Sequence, residues 1–75
     1  MLSDDMINKS VIIDFDVLES VQYLMDECES LNNEGNPAYY NYAETLGYLC
    51  KEMYVEGKMT KEQWETIERR YEPGW

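Results

Sequence analysis

The chain has 75 residues, with 16 Asp+Glu against 6 Lys+Arg and no histidine, a formal net charge of −10. That is room for one domain with a small core, which rules out a two-lobed enzyme fold with a cleft. At 44% hydrophobic and 13% aromatic the chain is richer than a disordered acidic tail. The charge has the wrong sign for direct binding to nucleic-acid phosphates or to anionic membranes. It points instead to a basic protein surface, since complementary charge speeds encounter and rejects wrong partners.

Residues 1–10 show no clean period and read as an arm. The opening residues carry acids where a signal peptide carries positive charge, so the sequence predicts no export and a cytoplasmic protein with reduced thiols. Val11 to Phe15 is β-branched and reads as a short strand or an extended segment. If it pairs, the partner is another copy or another protein. This divides the chain into an N-terminal arm, 1–15, and a helical domain, 16–75.

Asp16, with Glu19 three residues on, reads as the cap of a first helix over 16–32. Val17, Leu18, Val21, Leu24, Met25, Cys28 and Leu31 form its apolar stripe. Asn32 to Asn36 breaks it. Asn36 then caps a second helix over 37–56, with Pro37 at its first position. Tyr39, Tyr42, Ala43, Leu46, Leu49, Cys50 and Met53 share one face, and Gly57 supplies the stop. The third helix, 61–71, has a capping box of Thr60 and Gln63 and a hydrophobic staple of Met59 and Trp64. Trp64, Ile67 and Tyr71 are its buried stripe, and Glu72-Pro73 ends it. The predicted fold is all-α, a small three-helix bundle with an extended N-terminal segment. Its expected core is Leu18, Val21, Met25, Cys28, Leu46, Cys50, Met53, Trp64 and Ile67.

Catalytic and metal chemistry have little to work with. Two cysteines without a histidine do not complete a four-ligand zinc site, and both lie on apolar stripes, where free Cys packs as a small hydrophobe. No nucleophile elbow or phosphate loop occurs. The expectation is a non-enzyme without cofactor or metal.

Charge is unevenly placed. Residues 16–31 hold five acids and no base, whereas residues 58–75 hold four of each, an ordinary salt-bridged surface. At ~1.5 Å rise per residue the first helix carries one charge per ~5 Å. Duplex DNA carries one per ~1.7 Å, so nucleic-acid mimicry is partial.

Helical winding sets Tyr23 opposite the first stripe, among Glu19, Asp26 and Glu27. On the second helix it sets Tyr48 and Val55 opposite Leu46 and Met53, near Glu44 and Glu52. Tyrosine is favoured at binding hot spots, because its ring buries area at low entropy cost. These eight residues are the candidate partner-binding set, the tyrosines as anchors and the acids as steering charges.

Leu49 to Tyr71, with Gly57, Met59, Thr60, Glu62, Gln63, Trp64 and Ile67, is similar to the helix–Gly-x-hydrophobic-Thr–helix hairpin of short C-terminal oligomerisation modules. In size, acidity and tyrosine content the whole chain resembles small phage-encoded inhibitors, anti-CRISPR proteins among them. The resemblance implies an inhibitor that occludes a basic, nucleic-acid-binding surface of a CRISPR nuclease or another defence enzyme in the host cytoplasm. The alternative is a homo-oligomerising or adaptor module, with Tyr40, Tyr48, Val55 and the aromatic C-terminus packed against a second copy and Val11–Phe15 paired across the axis.

Overall fold

A computed structural model describes residues 6–71, and over these the chain is a three-helix bundle wrapped by an N-terminal strap. The helices are α1 (Glu19–Glu34), α2 (Tyr39–Val55) and α3 (Lys61–Tyr71). Among the described residues there is no strand, and no helix is long and apolar enough to cross a membrane.

Two glycines stop the first two helices. Gly35 at φ 65° lets the Asn36 N–H reach back to the Leu31 carbonyl at 3.0 Å. Gly57 at φ 79° does the same for Lys58 and Met53 at 2.8 Å. Each closes a Schellman turn, which consumes carbonyls the helix end would leave unpaired. A side chain at either position would be strained by the left-handed backbone. The α3 capping box is fully formed: Gln63 N–H donates to Thr60 Oγ1 at 3.1 Å, and Thr60 N–H donates to Gln63 Oε1 at 3.0 Å.

The start of α1 differs from expectation. The helix begins at Glu19, not at residue 16, and Asp16 does not cap it. Leu18 is the residue before the first turn, at φ −65° and ψ 155°, and no side chain caps the helix. Leu18 is therefore 46% exposed instead of buried, because an extended residue leaves the helical wheel that its spacing implied. The α2 entry is also later, at Tyr39. Asn36 caps a tight turn ahead of it, its Oδ1 accepting from Ala38 N–H at 2.9 Å.

Most of the expected core is present: Val21, Met25, Cys28, Leu46, Cys50 and Ile67 are buried together with Tyr39, Ala43, Met59 and Tyr71. Met53 and Trp64 are half-buried at its margin. The α2 helix lies between the other two and packs against both. The expected stop at 72–75 lies outside the described residues.

The strap, residues 6–18, belongs to the same core. Ile7 is buried within it, although no periodicity marks this residue in the sequence. From Val11 to Val17 half-buried and exposed residues alternate, the pattern of extended chain laid on a surface. Ile13, Phe15 and Val17 pack inward while Ile12, Asp14 and Asp16 face out. The chain bends at Val11 and Phe15 and makes no strand.

Polar contacts from α3 hold this strap. Asn8 N–H donates to the Arg70 carbonyl at 2.8 Å, and Arg70 Nη1 donates to the Val11 carbonyl at 2.8 Å. The rest of the Arg70 guanidinium meets Glu29 on α1, at 2.9 Å from Nη2 and 3.2 Å from Nε. Tyr71 donates its hydroxyl to the same carboxylate oxygen at 2.6 Å. The third helix is thus more than a charged surface. Its last turn joins α1 to the strap.

Candidate protein-binding face

Tyr23, Tyr48 and Val55 project from the bundle. Tyr23 is 57% exposed, Tyr48 66% and Val55 72%. Their exposure follows from the winding that buries Val21, Met25 and Cys28 on α1 and Ala43, Leu46 and Cys50 on α2. Glu19, Asp26, Glu44 and Glu52 are exposed around them, whereas Glu27 is half-buried. Gln22 Nε2 donates to Asp26 Oδ1 at 2.9 Å, an i,i+4 bond that fixes the carboxylate along the helix surface.

The eight residues do not share one wall. Glu19 and Tyr23 come together in a shallow depression of about 640 Å³, completed by Ser20, Leu24 and Leu49. Glu44 and Tyr48 line a second depression of about 280 Å³, with Gly47, Lys51 and Glu68. Leu49 borders the first depression and its chain neighbour Tyr48 borders the second, so α2 carries both. The first floor is apolar, with one acid, Glu19, and the Ser20 and Tyr23 hydroxyls at its edge. The second is mixed in charge, since Lys51 stands among Glu44 and Glu68.

Spacing along single helices brings out Tyr23 and Tyr48 but not Leu24, Leu49 or Glu68, whose roles here depend on how helices meet. In the sequence Leu24 and Leu49 stand only as members of the apolar stripes of their helices. The structure also subtracts one charge from the acidic first helix. Glu29 is tied up by Arg70 and Tyr71 on the strap side, so it does not contribute a free carboxylate to a partner.

The buried cysteines and tyrosines and the Arg70 guanidinium are held within the fold. Burial pushes the Cys28 thiol up to about 12, aided by the nearby Glu29 and Glu27 charges. Burial, with the charge of Glu68, takes Cys50 to about 12 as well. Such thiols are protonated at neutral pH and poor nucleophiles or metal ligands. Burial raises the Tyr39 and Tyr71 hydroxyls, and Glu29 adds to the shift at Tyr71 by accepting a hydrogen bond from its protonated hydroxyl. Burial opposes the Arg70 charge, but bonding to Tyr71 and Glu29 outweighs it and keeps the guanidinium protonated. Among the described residues no group of three His, Cys, Asp or Glu side chains is placed to hold a metal ion. No protein-family model, curated protein or solved structure matches the chain.

Proposed function

We propose that the protein is an acidic binding module that occludes a basic, nucleic-acid-binding surface on a target protein. The observation that carries this reading is the pair of protruding tyrosines set among carboxylates on α1 and α2 that form no ion pair with a described residue. An exposed ring beside an acid offers an arginine both a π-face and a counter-ion. Leu24 and Leu49 offer apolar surface for the stem of the same side chain. The charge of −10 steers such a partner in.

The compositional resemblance to phage-encoded inhibitors narrows the target class to a nucleic-acid-processing defence enzyme, such as a CRISPR nuclease, met in the host cytoplasm. Inhibition is then by competition: the module fills the groove that the nucleic acid needs. It has no catalytic part in this scheme and requires no cofactor. Self-association through Tyr40, Tyr48 and Val55 is opposed by the same net charge.

The test is a panel of purified CRISPR nucleases and other nucleic-acid enzymes, each assayed for nucleic-acid binding with and without the protein. The reading requires one member to lose nucleic-acid affinity, with the loss fading as salt screens the acids. Competition indifferent to salt contradicts it.

A further inference from the structure

We infer that the outer edge of the strap at Ile12–Asp14 is a docking site for an extended, basic segment of a partner protein, paired to it backbone to backbone. This site lies apart from the α1–α2 face and goes beyond the function proposed above.

Three observations carry it. First, residues 12–17 make no hydrogen bond to any described residue through backbone or side chain. An extended run of free N–H and C=O groups is a template for strand pairing. Second, the run is held in place before any partner arrives. Arg70 fixes its beginning through Val11, and α1 fixes its end. Third, a cleft of about 410 Å³ runs between this edge and α3, lined by Ile12, Asp14 and Phe15 on one side and Gln63, Thr66 and Arg69 on the other. Alternate residues of an extended chain point their backbone groups to the same edge. Of the strap, Val11, Ile12, Asp14 and Phe15 line the cleft. Within the straight run 12–14 between the two bends the cleft-side residues are 12 and 14, and we place the open groups there. The bend at Phe15 ends the straight edge there, so pairing is short, with up to four bonds.

Charge selects the occupant. Asp14 and Glu62 give the cleft two carboxylates against the one cation of Arg69, and Asp16 faces out from the strap just beyond it. A second copy paired antiparallel about Asp14 would set that aspartate opposite itself, and like charges directly opposite destabilise a strand pair. A partner segment with a basic residue opposite Asp14 and an apolar one opposite Ile12 meets both requirements. Such a segment reads basic-x-apolar in the antiparallel direction.

The probe is an acetylated, amidated peptide, Thr-Lys-Val-Val-Thr, titrated into the isotopically labelled full chain. The expected result is amide shifts at Ile12 and Asp14 that saturate. Replacing the peptide lysine by glutamate, or N-methylating the peptide backbone at alternate residues, should each weaken binding at least about fivefold, the scale of one lost hydrogen bond. Tyr23→Ala and Tyr48→Ala should leave this titration unchanged, so its outcome is independent of the α1–α2 face. Unmoved strap amides, or N-methylated peptide binding as well as the parent, overturns the inference. So does concentration-dependent dimerisation that protects the Ile12 and Asp14 amides without peptide, since the occupant is then a second copy.

Discussion

Arg70 at the end of α3 grips Glu29 in the middle of α1, with Nη2 2.9 Å from the carboxylate oxygen, and with Nη1 holds the Val11 carbonyl at 2.8 Å. One guanidinium therefore ties three separate stretches of chain. Lysine, with a single point of charge, lacks the fork that makes this possible. The side chains are shielded but not sealed, at 17% exposure for Arg70 and 36% for Glu29.

Arg70→Ala should accordingly cost about 2 kcal/mol, between the small value of exposed pairs and the larger one of buried pairs. Arg70→Lys should recover less than half of the loss. Denaturant unfolding measures both, and hydrogen exchange should locate the first opening at the strap.

Trp64 Nε1 is buried without a hydrogen-bond partner, while its ring stacks on Tyr54 with centroids 5.3 Å apart. Trp64→Phe should keep most of the stack and remove the orphaned donor, leaving stability within about 1 kcal/mol of the parent. Trp64→Ala should cost about 3 kcal/mol, the lower end for deleting a large core aromatic, since the ring is only half-buried. Thermal melts of the two variants separate packing from polarity.

Thr60→Ala should cost about 0.5–2 kcal/mol, because it leaves the Gln63 N–H without its cap. Gln63→Ala breaks only the return bond and should cost less. The measurement is chemical denaturation with helix content followed by circular dichroism.

Cys28 and Cys50 give the fold an alkaline limit. Their thiols move from an ordinary 9.0 to about 12 on folding, so unfolded chains lose these protons first. The stability they contribute is complete below pH 9 and falls as pH rises from there toward 12. Cys28→Ala with Cys50→Ala should flatten that fall at the cost of a lower plateau. Neither thiol should react with an alkylating reagent at pH 8 unless the chain is unfolded.

How much of this was legible beforehand depends on distance along the chain. The α3 bounds, the capping box and the Gly57 stop are local signals and stand as read, whereas α1 continues through Asn32 and Asn33 to Glu34, where Gly35 ends it. The α1 start was not legible from Asp16 and Leu18, because the packing of Phe15 and Val17 keeps the chain extended past the cap site. Ile7 carries no periodicity; its burial depends on Asn8 meeting the Arg70 backbone far along the chain. Glu29 reads as one acid among five until α3 is docked. Tyr23 and Tyr48 were legible because a helix fixes which face an isolated residue takes, while the depressions around them needed the inter-helix packing.

In the proposed function, Tyr23 and Tyr48 anchor a basic partner while the carboxylates around them steer it. The most direct measurement is the association and dissociation kinetics of Tyr23→Ala, Tyr48→Ala and Glu52→Lys against a captured target at two salt concentrations, with thermal melts as control. The tyrosine variants should dissociate faster, at a cost of about 2 kcal/mol each. Glu52→Lys should slow association and flatten its salt dependence. All three should melt like the parent. Parental kinetics in all three would contradict the account and move the binding face elsewhere on the bundle.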